Sequence, residues 1–476
     1  MVPNGFAFFS TAVASFPFFL LGYEVAVLYG QNKIQESFEE TIDGFEDSIR
    51  GFVFFSALLA GFLMSTIGRQ KMFFVGALAY TVGVAVLVIG YTFKCFKAGR
   101  GLMGVGLGFG LAIGPVYIAE ISPARHRGFL ESIPQLFLCL GAMMGYVMEY
   151  AFSKVASTLG WRFMMAIPGV ASFIFTVLAA FRMPESPCFL VINGRVRTAR
   201  QLFEDKLRTP AAEVEARMRQ LKNAAGISQE TERDTVLDET SPGGIPGMWG
   251  QLSRRETWGI IMVAAVQQAL QRVSGEYILL SYIRLTLAQN KQDSREMYLA
   301  AIQMLLGSKL LGSLLASFLL DRCFGHGRVS LMVVSTSTTM VAMAGLGGAA
   351  IASQHGRITR GTAFRCYVAG SLGLEAGTGL GLGPVPWLYG PEALMLPARA
   401  IGVTLAVAAG LGVDWLLDLK VIPISHESIT AAGTPLLVFS SFMFVGALSC
   451  LFMKDRSQQV LLDAVVDPPD SSSTAS

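Results

Sequence analysis

Twelve stretches of this chain are long and apolar enough to cross a bilayer, and they come as six, a polar break and six more. A hydrocarbon core of about 30 Å takes on the order of 20 helical residues. Runs of that kind fall at 5–29, 48–67, 72–92, 99–121, 129–150 and 161–181, and then at 257–288, 297–319, 328–352, 362–389, 399–421 and 433–453. Apolar residues make up 52% of the 476 and charged residues 15%, with a mean hydropathy of +0.51, a balance that excludes an ordinary soluble domain. The first run carries Glu24, has no basic region before it and exceeds a signal-peptide core, so it reads as an uncleaved first span.

A boundary element occurs twice. Gly114-Pro115-Val116 leads to Glu120 and then to Pro123-Ala124-Arg125-His126-Arg127; Gly383-Pro384-Val385 leads to Glu392 and then to Pro397-Ala398-Arg399. In both copies an arginine follows the glutamate by seven residues, at 120 and 127 and at 392 and 399. Two such elements half a chain apart are what a duplicated membrane bundle leaves behind. The expected fold is therefore an all-α membrane protein of twelve transmembrane helices in two six-helix bundles, residues 1–183 and 257–454. A cytoplasmic linker of short amphipathic helices at 184–256 joins them, with a flexible part over 230–250, and a disordered tail follows at 455–476.

Orientation follows from the basic residues. Arg69 and Lys71, Arg125 and Arg127, and Arg322 and Arg328 lie in even-numbered connections, whereas the first connection is acidic from Glu36 to Asp47. Even connections and both termini are thus expected in the cytoplasm, with the basic stretch 354–365 as the one dissenter. A net charge of +3 gives no case for nucleic acid. The six cysteines show no metal-ligand or redox spacing, and no nucleophile sits with a base. The reading needs no cofactor, no metal and no enzyme chemistry. The glycines of 101–114 lie inside an apolar helix, where close helix packing explains them better than phosphate binding does.

Two features could carry function. Glu24 is a carboxylate at membrane depth, costly unless paired or watered, and a buried acid that can take up a proton is what coupling to a proton gradient requires. Gln267, Gln271 and Ser274 recur at i, i+4 and i+7, so they are expected on one face of the seventh helix, with Ser274-Gly275 as a place for that helix to break. Neutral hydrogen-bonding groups of this kind suit an uncharged polyhydroxyl ligand, and equally suit contacts between helices. Arg272 and Glu276, spaced i and i+4, are expected to neutralise each other, and Lys309 to meet Asp414.

The motifs together resemble the sugar porters of the major facilitator superfamily, most of all the plant polyol and monosaccharide proton symporters. The resemblance rests on Gly99-Arg100, on Pro115 to Pro123, on Pro184-Glu185-Ser186-Pro187 and on Gly383-Pro384-Val385-Pro386-Trp387. It also rests on Arg127-Gly128-Phe129-Leu130, Gly160-Trp161-Arg162-Phe163 and Phe318-Leu319-Leu320-Asp321-Arg322. Departures are plain too. Ser65-Thr66-Ile67-Gly68 replaces the aspartate-bearing loop after the second helix, Pro187-Cys188 replaces Pro-Arg, and Lys454-Asp455-Arg456 stands where Pro-Glu-Thr-Lys-Gly is usual.

The resemblance implies that Arg100 partners Glu24, either for proton coupling or as a static pair. It implies that Gln135, Gln271, Tyr277, Ser281, Tyr282, Trp387 and Asp414 line the substrate site. It further implies a cytoplasmic gate of Arg69, Glu120, Arg127, Glu185, Arg328, Glu392 and Arg399, with pairs formed across the interface between halves. The expected activity is inward movement of a polyol or monosaccharide with a proton by alternating access. The alternatives are an uncoupled facilitator or a sugar sensor that no longer transports. The expected membrane is the plasma membrane, with the vacuolar membrane as the alternative.

Overall fold

Glycines where two helices touch, and large apolar side chains where a helix faces outward, recur along the long helices of this chain. The computed structural model describes residues 5–28, 45–152, 157–225, 227, 245–276, 279, 283, 295–321, 327–420 and 429–453, and every regular element among them is helical. The first six long helices are α1 (Gly5–Leu28), α2 (Phe45–Ile67), α3 (Arg69–Ile89), α4 (Phe93–Ile121), α5 (Arg127–Phe152) and α6 (Ser157–Phe181). Short helices α7 (Pro187–Ile192), α8 (Val196–Gln201), α9 (Ala211–Ala225) and α10 (Ile245–Leu252) follow. The remainder is α11 (Arg255–Arg272), α12 (Arg295–Leu320), α13 (Gly327–Gln354), α14 (Arg360–Leu380), α15 (Val385–Ala393), α16 (Leu396–Lys420) and α17 (Ile429–Ser449). Among the described residues ten of these, α1 to α6, α12, α13, α16 and α17, are long and apolar enough to span a membrane. The chain is an integral, multi-pass membrane protein.

Two expectations change and one holds. The tenth apolar run, 362–389, is not one helix: α14 ends at Leu380 and the Gly381 to Pro384 turn separates it from α15. The seventh run breaks where Ser274-Gly275 suggested: α11 stops at Arg272 and Gly275 takes φ +82°, a conformation that costs glycine nothing. Ile245–Leu252 is helical although 230–250 was read as flexible; residues 230–244 of that stretch lie outside the described residues. Arg322, Tyr277, Ser281 and Tyr282, the tail at 455–476 and most of the acidic first connection also lie outside the described residues.

α4 is the hub, buried along most of its length, with α3 and α2 packed on it and α1 beside it. Its glycines make this possible: a Cβ on Gly108 would stand 2.0 Å from Ser56 Oγ of α2, and one on Gly110 would stand 2.4 Å from Pro17 of α1. α1 and α5 approach as closely. The later helices pair α13 with α17 and α14, α12 with α14, and α11 with α16. Contacts between the earlier and later sets run through α16 on α2 and α12 on α5. Outward faces carry Phe55, Phe163, Phe173, Leu311, Val341 and Phe442, all exposed, as expected of side chains whose solvent is lipid.

Candidate functional site

A buried charged pair joins α1 to α4. Glu24 is 5% exposed and Arg100 2%; the guanidinium Nη1 donates to Glu24 Oε2 and lies over the Phe96 ring. Tyr80 of α3, which the sequence did not single out, donates its hydroxyl to Glu24 Oε1 at 2.8 Å. An acid, its cation and a phenol thus occupy one buried point on three helices.

That point opens onto a cavity of about 50 Å³ lined by Glu24, Arg100, Arg50 and, from α16, Asp414. Such a space holds a few waters and is far below the several hundred Å³ of a ligand pocket. Asp414 lies 3.9 Å from both Arg50 and Arg272. Arg272 in turn lies over Trp387, 5.7 Å from the ring centre. The expected Arg272–Glu276 and Lys309–Asp414 pairs therefore do not form. Arg272 goes to Asp414, whereas Lys309 Nζ meets Glu276 Oε2 at 2.5 Å and Glu375 Oε2 at 3.9 Å. Pairing across helices depends on how each helix is rotated, which spacing along one helix does not reveal.

Polar side chains converge on the second Gly-Pro-Val element. Gln271 Nε2 donates to the Gly383 carbonyl at 2.7 Å, and Gln268 Nε2 to that of Pro386 at 3.0 Å. Gln135 of α5 packs against Gly383, where a Cβ would stand 2.9 Å from its amide carbon. Trp387 is buried, meeting Phe18 of α1 edge-on at 4.8 Å. Gln267, one turn before Gln271 on α11, takes a different partner: its Nε2 donates to Ser449 Oγ at the end of α17. Buried Oε1 atoms of Gln135, Gln268 and Gln271, and Trp387 Nε1, have no hydrogen-bond partner. Three acceptors and one donor, all neutral, are complementary to hydroxyls.

The arginine-rich face is built differently from the expectation of pairs between halves. Arg69 holds Glu120 with two bonds, Nε to Oε2 at 3.1 Å and Nη2 to Oε1 at 3.0 Å, both partners lying in the first six helices. Arg328 meets Glu392 at 2.5 Å within the later set. Glu185 Oε1 accepts from the backbone N–H groups of Arg69, Gln70 and Ser186, closing the start of α3 where the usual loop aspartate is missing. Burial raises the Glu185 carboxyl above its ordinary value, partly offset by those N–H donors. Arg217 of α9 donates to the Ser122 carbonyl and pairs with Glu213 at 3.0 Å, and burial, then nearby Arg127, lowers its guanidinium to about 10. Arg399 Nη2 reaches only the Leu394 carbonyl at 3.4 Å, and Arg127 lies near Glu131. On this face the two sets are linked by Phe129 N–H to Asp321 Oδ2 at 3.2 Å, by Ser132 to Ser317 at 2.7 Å and by a hydrogen bond between the Glu131 and Glu392 side chains.

Among the described residues ten candidate spans pack around a hub that holds a buried charge pair, and solved structures of the major facilitator fold match this arrangement over nearly the whole chain. The solved proton:xylose symporter XylE bound to 6-bromo-6-deoxy-D-glucose is similar with a TM-score of 0.76 and 21% identity, over 94% of this chain and 95% of that one. A partially occluded inward-open XylE from E. coli is similar with a TM-score of 0.69 and 20% identity, over 93% and 96%. The chain belongs to the sugar (and other) transporter family, whose model matches residues 52–455. Among its relatives are two from Arabidopsis thaliana: probable polyol transporter 3, 31% identical over 93% of this chain and 86% of that one, and probable polyol transporter 6, 29% identical over 93% and 89%.

Proposed function

We propose that this sugar-family transporter carries a polyol or monosaccharide inward together with one proton taken up by Glu24. The supporting observation is that one small cavity joins the Glu24–Arg100 pair to Asp414, and Asp414 to Arg272 and Trp387 beside the unpaired amides. A proton on Glu24 releases Arg100, and the loss of that charge pair is felt across the cavity at Asp414, one residue from the hydroxyl-binding face. Relatives named polyol transporters and a neighbour titled a proton:xylose symporter support the same substrate class and coupling. Twelve spans in two six-helix bundles, with both termini cytoplasmic, complete the reading, in the plasma membrane or else the vacuolar membrane. Loss of the loop aspartate argues little for a dead sensor, because Glu185 closes the start of α3 in its place.

Proteoliposomes test this. Adding a polyol outside at acidic pH should alkalinise the medium, and Glu24→Gln should abolish that signal and uphill accumulation while preserving exchange of labelled substrate. Uptake with no proton movement in the unmodified chain would leave a facilitator, and binding without uptake would leave a sensor.

A further inference from the structure

One lysine stands between a buried carboxylate and a partly exposed one among the later helices. Lys309 of α12 gives its ammonium to Glu276 at 2.5 Å and lies 3.9 Å from Oε2 of Glu375 on α14. Glu375 is 3% exposed, and that Oε2 atom has no hydrogen-bond partner. With both acids ionised the cluster would hold a net negative charge whose buried share falls on Glu375, and burial opposes it. A proton on Glu375 removes that charge without moving an atom.

We propose that Glu375 is a second proton-binding carboxylate of this transporter, loaded while Lys309 holds Glu276 and emptied when Lys309 turns to Glu375. The inference rests on the proton-coupled reading and adds a site to it. Glu276 is the partner able to let go: it follows Gly275, at φ +82°, in the break that ends α11, and its side chain is 31% exposed. That break lies four residues from Gln271, so a ligand drawing on the amides pulls on the segment bearing Glu276. When Glu276 swings away, the ammonium is left to Glu375, the ionised form becomes the paired one, and the proton passes to water. The groups facing Glu375 are Lys309 from α12, Glu276 from the end of α11 and the buried Cys139 thiol from α5. α13 packs on α14 with Thr338 and Thr339 and brings no titratable side chain to this point.

Infrared difference spectroscopy on the purified full chain in lipid nanodiscs, acid minus neutral, reads protonated carboxyls directly and needs no sugar. Among the carboxylic-acid bands, one is expected to be lost in Glu24→Gln and a different one in Glu375→Gln. At neutral pH the Glu375 band should weaken in Glu276→Gln, which leaves Lys309 to Glu375 alone, and strengthen in Lys309→Gln. Should Glu375→Gln fold poorly, those opposite responses decide, because a merely structural role moves neither. A Glu375→Gln spectrum that keeps every band, or a second band indifferent to both Glu276→Gln and Lys309→Gln, overturns the proposal. If instead Glu24→Gln removes no band while Glu375→Gln does, the Glu24 coupling fails and the Glu375 site stands.

Discussion

Four buried polar atoms around Gly383, on Gln135, Gln268, Gln271 and Trp387, lack a hydrogen-bond partner. Each orphan costs on the order of 1–3 kcal/mol, and in the proposed reading a hydroxylated ligand removes that cost. Gln135 is the cleanest test, because its Nε2 makes only a 3.6 Å contact with Cys139 Sγ. Gln135→Leu should therefore leave the melting temperature of the ligand-free protein unchanged or slightly higher. It should raise KM for the transported polyol roughly five-fold, the worth of about 1 kcal/mol. Thermal shift with and without polyol, beside labelled uptake, measures both; a fall in ligand-free stability with no change in KM would return Gln135 to helix packing. Glu24 was legible in the sequence because charge inside an apolar run has so few structural uses, and Arg100 through the family resemblance. Tyr80 and Glu375 were not. A tyrosine in an apolar helix looks like core, and a glutamate among glycines gives no sign of which neighbouring helix holds its partner.

At the scale of elements, shape follows from where the chain omits side chains. A Cβ on Gly141 of α5 would stand 2.0 Å from the Phe19 carbonyl oxygen of α1, and one on Gly22 of α1 would stand 2.1 Å from that of Leu138. Both obstacles are backbone, so neither can turn aside. Gly141→Leu must push α1 off α5, and α1 carries Glu24; overpacking of this kind costs on the order of 1–3 kcal/mol or more. The expected result is a melting temperature lower by several degrees and loss of proton-coupled uptake, read by fluorescence melting in detergent. An unchanged melting temperature would show that the helices do not approach this closely. The long apolar runs announced these helices through hydropathy alone, and the glycines of α4 announced their packing. The break between α14 and α15 stayed hidden, because Gly-Leu-Gly-Leu-Gly at 379–383 is as apolar as the helix before it. The ion pairs stayed hidden for the same reason in another form: composition fixes that charges must pair, and only the rotation of α11, α12 and α16 fixes with whom.

The whole molecule moves, in the alternating-access reading, by parting α12 from α5 at the arginine-rich face, and Asp321 sits on that seam. Its Oδ2 accepts from the Phe129 N–H at 3.2 Å, and a Cβ on Gly128 would stand 2.7 Å from its Oδ1. Burial raises the Asp321 carboxyl above its ordinary value, against the opposing pull of the Phe129 and Gly128 N–H groups, His126 and Arg328. The packed face therefore holds a proton on Asp321 more tightly than the parted face, where water returns the group to about 3.9. As pH falls from neutral through the raised value, the packed form gains stability relative to the parted one, and the gain is complete below the ordinary value. Acid on this side should hold the seam shut. Spin labels at the ends of α5 and α12 would report a longer mean separation at neutral pH than in mild acid. Asp321→Asn, which keeps an acceptor for Phe129 without a charge to bury, should give the short separation at every pH. A pH response of the same size in Asp321→Asn would assign the effect to another group, with Glu185, also raised by burial, the next to replace.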